Sequence, residues 1–176
     1  QLNSFSDALS VSVYFKVTDK EGTHRNIITN GDVVGFALTV SNANKLRPHI
    51  QHQEGWLNFD GNTTIELNIW YHATFVYDSQ TLKIYLNGDE DGSSSSVSGD
   101  IVNYDGDLLI GKYNNNDDQN FPGLIDELSI WDKALTEEEI QNYYGNALSG
   151  LEQGLVAHYN FNEASGNSLL DVTGNG

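Results

Sequence analysis

A carboxylate set into an apolar strand is the first residue of this chain that calls for a chemical explanation. Asp126 lies within Leu124-Ile-Asp-Glu-Leu-Ser-Ile-Trp131, where strict alternation puts it on one face with Leu124, Leu128 and Ile130. If that face is the core side, the charge costs several kcal/mol unless it is paired or bound to a metal. Basic partners are scarce, with 8 Lys and Arg against 25 Asp and Glu, so calcium is a natural solution. The loop Asp171-Val-Thr-Gly-Asn175 offers a carboxylate, an amide oxygen and backbone carbonyls, all suited to a hard cation. The competing reading leaves Asp126 as an acceptor of backbone hydrogen bonds and the loop as a plain Gly/Asn turn. Two further acidic loops, Asp89-Glu-Asp91 and Asn114 to Asn120, lack the D-x-D-x-D-G spacing of an EF-hand.

Sugar recognition needs a different set: an exposed aromatic platform beside amide and carboxylate groups that bond hydroxyls. Trp56 opens a short strand after His52-Gln-Glu-Gly55 and is one candidate platform. Tyr113 is the other, because it leads into the polar loop carrying Asn114, Asn116 and Asp117. Core packing is the competing role for both aromatics. His49 and His52 are three apart on a strand, so they point to opposite faces and form no metal pair.

Catalysis finds little support. A glycosidase needs two carboxylates projecting from one face. Asp126 and Glu127 are adjacent and alternate, while Asp89 and Asp91 sit in a Gly/Asn-rich turn without an apolar strand to hold them. No Ser/His/Asp motif context is present.

The formal charge of −17 repels phosphate backbones and anionic membranes, which argues against nucleic acid and against membrane insertion. No apolar run is long enough to span a bilayer. With no Cys, disulfide scaffolds, thiolate chemistry and cysteine-ligated zinc are excluded. The chain has 176 residues, enough for one domain, and its 3 Trp, 9 Tyr and 7 Phe supply core material despite a hydrophobic fraction of only 38%. Residue 1 lies a few positions before a strand, which implies excision from a longer precursor.

The elements that would position these groups are mostly strands. From Ala8 to Val17, Leu9, Val11, Val13, Phe15 and Val17 face one way and Ser10, Ser12, Tyr14 and Lys16 the other. Further strands are expected over 26–30, 33–41, 45–52, 56–60, 70–78, 82–87, 96–103, 107–112, 123–131 and 155–162. Turn dipeptides such as Asn87-Gly88 and Asp105-Gly106 punctuate them. One helix follows: Thr136 and Glu139 form a capping box, and Gly145 and Asn146 end it after Tyr143 and Tyr144. Many short strands with a single late helix predict an all-β sandwich of two antiparallel sheets.

Four segments in series resemble the laminin-G-like, concanavalin A-like jelly rolls. They are Asp7 to Lys16, the hairpin Trp70-Tyr-His-Ala-Thr-Phe-Val-Tyr-Asp78 with Leu82-Lys-Ile-Tyr-Leu-Asn-Gly88, Leu109-Ile-Gly111, and Phe121 to Tyr144. The resemblance implies an all-β, two-sheet antiparallel jelly-roll sandwich with one short C-terminal helix. It also implies that Trp70 and Trp131 are core residues. Several members bind calcium at the sandwich edge, so it groups Asp126, Asp171 and Asn175 as a structural calcium site. Family members open with two strands and a loop that would precede residue 1. Gly154 to Asn162 and Asp171 to Gly176 resemble that opening but lie at the C-terminus. The expected division is a jelly roll over 1–145, a linker over 146–153, and a strand and loop over 154–176. That last segment either completes the sandwich, in this molecule or a neighbour, or begins a next repeat. The implied function is a non-catalytic, secreted or cell-surface recognition module, calcium-stabilised and carbohydrate-binding, within a larger protein. A structural or protein-interaction domain of a tandem array, serving adhesion without a sugar site, is the alternative.

Overall fold

The computed structural model describes residues 5, 7–20, 24–30, 35–53, 55–95, 99–103, 105–113, 119–163 and 165–175. Eleven strands and one helix follow in chain order. They are β1 (Leu9–Val17), β2 (Arg25–Asn30), β3 (Phe36–Val40), β4 (Leu46–His52), β5 (Gly55–Asn58), β6 (Tyr71–Tyr77), β7 (Leu82–Leu86), β8 (Asp89–Ser94), β9 (Leu108–Ile110), β10 (Gly123–Trp131), α1 (Glu137–Gly145) and β11 (Leu155–Tyr159). Six strands form one antiparallel sheet in the order β11-β10-β1-β6-β7-β8, and five form the other in the order β5-β4-β3-β2-β9. The architecture is a jelly-roll sandwich.

Alternation explains how the sheets face each other. The apolar set of β1 meets Tyr71, Ala73, Phe75 and Tyr77 of β6 on the inner side, and both pack on Phe36, Leu38, Leu46 and Ile50 of the opposite sheet. Each such side chain taken fully out of water contributes about 1.5–3 kcal/mol. A second apolar cluster holds α1 on the outside of the six-stranded sheet. Trp131 is fully buried there, as the resemblance implied, and stacks on Tyr143 with ring centroids 4.9 Å apart. The helix begins as its sequence dictates: Thr136 and Glu139 complete the capping box, and Lys133 Nζ meets Glu139 Oε1 at 2.6 Å. The C-terminal segment supplies β11, which pairs antiparallel with β10.

Several expectations need correction. Asp126 does not share the core face with Leu128 and Ile130. The β1–β10 register shifts between Ser12 and Tyr14, and Glu127 takes a left-handed backbone with φ 49°. This bulge inserts one residue and inverts the alternation. Ile125, opposite Phe15, packs on the core; Leu124 is 49% exposed; and Asp126 pairs with Tyr14 on the outer face. Glu127 also reaches that face, so adjacency no longer separates the two carboxylates. Asp89 to Ser94 is a strand paired with β7, not a turn. Residues 99–103, expected within a strand, contribute only an isolated bridge between Ile101 and His52. Trp70 is 43% exposed, with Lys16 Nζ 5.1 Å from its ring centroid, so it is not a core residue.

Candidate functional site

The outward positions of the five-stranded sheet fall into cross-strand rows. Thr29, Ala37, His49 and Asn58 form one row, and Asn26, Thr39 and Arg47 the next. Buried Ala37 and Thr39 on the central strand β3 are small, so the sheet surface sinks between taller neighbours. The result is a depression of about 320 Å³, near the lower end of the volumes that small ligands occupy.

Trp56 and Tyr113, far apart in sequence, both line it. Trp56 is 41% exposed and meets the edge of His49 at 86°, with centroids 6.1 Å apart. This contact fixes the indole while leaving ring surface open to solvent. Tyr113 stands with Gln119 and Asn26, and Asn26 Nδ2 donates to the Gln119 carbonyl at 2.9 Å. Asn114, Asn116 and Asp117, expected to contribute side chains, lie outside the described residues.

Charge at this site is muted. Arg47 donates through Nε and Nη2 to the two oxygens of Asp60 at 2.8 and 2.9 Å. Burial works to raise the Asp60 pKa, but hydrogen bonds from Arg47 and Ser41 and the Arg47 charge outweigh it and hold the carboxyl below its usual range. Burial, reinforced by Arg47 and His24, pushes His49 down to about 4. His49 is therefore a neutral imidazole near pH 7, able to donate from one nitrogen and accept at the other. His52 points to the core side, as its spacing from His49 requires. Among the described residues no Asp or Glu lines the depression. The described surface offers aromatic faces, amides, hydroxyls and a neutral imidazole, which suits hydroxyl-rich ligands.

Another pair invites a catalytic reading. Ser12 Oγ and His72 Nε2 are 2.7 Å apart on the outer face of the six-stranded sheet. Burial lowers His72 to about 4, and its Nδ1 has no partner to orient the ring. A nucleophile's base needs a pKa nearer the working pH and a third orienting group, and this one has neither.

Asp126, Asp171 and Asn175, the expected calcium ligands, each make local hydrogen-bond contacts. Asp171 Oδ1 accepts from the His158 and Thr173 backbone N–H groups, each at 3.0 Å, and from Thr173 Oγ1 at 2.8 Å. Asp126 Oδ1 accepts from the Glu127 N–H at 3.0 Å. Asp171 bridges Tyr159 on the side of β11 away from β10, so roughly two strand spacings, about 10 Å, separate the Asp171 and β10 backbones. Asn175 Nδ2 turns toward the Val156 carbonyl at 3.5 Å. Among the described residues no three His, Asp or Glu groups are placed to hold a metal ion.

Sequence reasoning singled out Trp56 and Tyr113 but missed His24, Asn26, His49, Arg47 and Asn58. The available signal was the polar member of each alternating strand, which becomes a site only once the cross-strand registers align.

A family model for the concanavalin A-like lectin/glucanases superfamily matches residues 1–141. The chain belongs to this superfamily. Within known structures, a putative carbohydrate binding protein from Bacteroides ovatus superposes with a TM-score of 0.83 at 18% identity, covering 98% of this chain and 51% of that one. A pentraxin from Limulus polyphemus gives 0.62 at 18% identity, covering 96% and 83%. A domain of an extracellular arabinanase from Geobacillus stearothermophilus, in complex with arabinotriose, gives 0.59 at 21% identity, covering 79% and 67%. At these identities the likeness establishes the fold. An adhesion G-protein coupled receptor of Homo sapiens is 35% identical over 82 residues, 45% of this chain and 9% of the receptor. The chain thus spans a small part of that receptor and about half of the Bacteroides protein.

Proposed function

We propose that this domain is a non-catalytic carbohydrate-binding module, acting outside the cell as part of a larger secreted or surface protein. The observation that carries the reading is Trp56, whose partly exposed ring stands over a depression shared with Tyr113, Asn26, Asn58 and neutral His49. A structural spacer would bury its aromatics and leave only polar rims. The carbohydrate-binding description of the Bacteroides ovatus protein and the arabinotriose bound by the arabinanase domain support the same direction.

Calorimetric titration against a panel of soluble oligosaccharides tests the reading. One or more should bind, and Trp56→Ala should weaken binding about tenfold or more. Binding unaffected by Trp56→Ala, or silence across neutral and acidic glycans alike, would overturn it. Given the engaged oxygens of Asp171, EDTA should leave the thermal midpoint unchanged, and a calcium-reversible drop would restore the Asp126, Asp171 and Asn175 proposal.

A second reading, protein recognition in adhesion, draws on a different surface. Ile69 (44% exposed), Trp70 and Leu124 are all large apolar groups open to solvent. The adhesion receptor segment adds to it. Retention of a protein partner by Trp56→Ala and its loss in Trp70→Ala would favour this role.

A further inference from the structure

A second cavity, of about 230 Å³, lies on the outer face of the six-stranded sheet beneath the end of α1. Its floor includes Ser12, His72 and Ser129, and Tyr14, Glu127 and Tyr144 stand around it. The glycan reading makes no use of it.

Three independent features give this cavity one electrostatic sense. The first is Glu127, which the bulge re-aims from the strand toward His158; His158 Nε2 donates to Oε2 at 2.8 Å, while Oε1 accepts no hydrogen bond among the described residues. The second is the C-terminal end of α1, whose last carbonyls carry the negative pole of the helix and whose last turn holds no basic residue. The third is aromatic. Tyr14 and Tyr144 stack with centroids 6.4 Å apart, and the Tyr14 hydroxyl donates to the Tyr144 carbonyl, so the rings are held in place. Ring faces attract cations. No Lys or Arg lines the cavity among the described residues, and burial keeps His72 neutral near pH 7. Burial, then Tyr144, then Glu127 raise the Tyr14 phenol, so it remains a neutral hydroxyl near pH 7.

We infer that this cavity binds an alkylammonium group, with Glu127 as counter-ion, the negative pole of α1 close by and Tyr14 and Tyr144 as aromatic walls. The ammonium can come from a free amine or from a lysine side chain of another protein, because the recognised chemistry is the same.

Chemical-shift titration of the intact domain with butylammonium chloride tests this, using 1-butanol as the neutral isostere and sodium chloride to match ionic strength. The amine should saturate and bind at least about tenfold more tightly than the alcohol, with shifts centred on His72, Ser129 and Tyr144. Glu127→Gln should abolish the preference. Because that substitution also touches the His158 pair, Tyr144→Ala at the exposed helix end provides a second variant, expected to weaken the amine at least about threefold. Trp56→Ala should leave the amine unaffected. Competition by Nα-acetyl-lysine methylamide would identify a lysine side chain as an accepted source, and failure to compete would restrict the site to small free amines. Equal binding of amine and alcohol, no saturation below about 100 mM, or shifts located elsewhere would overturn the inference.

Discussion

On the five-stranded sheet no helix packs over the outward side chains of β2 to β5 among the described residues, and small residues on β3 leave a depression flanked by Trp56 and Tyr113. On the six-stranded sheet the corresponding positions of β1, β6 and β10 lie under α1 and the segment after it, where Ser12, His72 and Thr74 form a hydrogen-bonded network on the outer face. Both faces carry a histidine made neutral by burial. The open face presents neutral hydrogen-bonding groups and aromatic surface; the roofed face concentrates negative potential. Similar alternation along the strands thus yields different chemistry, according to what covers the sheet.

The roof depends on Trp131. Trp131→Ala removes the ring under Tyr143 and should destabilise the domain by about 3–5 kcal/mol. Chemical denaturation measures the loss, and glycan binding by the remaining folded fraction should persist. If binding disappeared with the roof, the two faces would not be independent.

Acid should weaken both faces together. The unfolded chain protonates His49 and His72 near pH 6.5, whereas the folded chain does so only near 4. The unfolded state therefore takes up more protons across that window, and stability, complete above about pH 6.5, falls as pH drops toward 4. Each histidine accounts for at most about 3 kcal/mol. Replacing either one by Asn should flatten part of the slope in the thermal midpoint between pH 7 and 4.5.

Trp56→Ala separates function from stability. The ring is partly exposed, so unfolding free energy should change by less than about 1 kcal/mol while glycan affinity falls. The smallest effect belongs to the helix start. Thr136→Ala removes the capping oxygen and should cost about 1 kcal/mol, measured as a lower thermal midpoint, with no change at the open face.

Much of the architecture could be read before any coordinates. The inward set of β1, the capping box at Thr136 and the β6–β7 hairpin follow from local pattern, because alternation and capping act over a few residues. The β10 bulge could not be read this way. Leu124 to Trp131 is a strong alternating run, yet its pairing with β1 accommodates one extra residue at Glu127, and this reverses the faces of Asp126 and Leu124. Asp89 to Ser94 looks like a turn because its residues have low strand propensity. Pairing with β7, together with Asp91 accepting from Thr63, overrides that preference. The expectation that Asp126 lies on the core face fails for the first reason: it counted twos across a bulge.

The depression shows the same division. Residue type and local pattern determined that Trp56 and Tyr113 were candidate platforms and that the strands would build a sandwich. Only the tertiary structure decided that Trp56, His49 and Tyr113 surround one depression and that Trp70 does not belong to the core. Alternation within a strand is a local property, fixed by the pleat. Which rows align across β2 to β5, and which face a helix covers, depends on non-local register and packing.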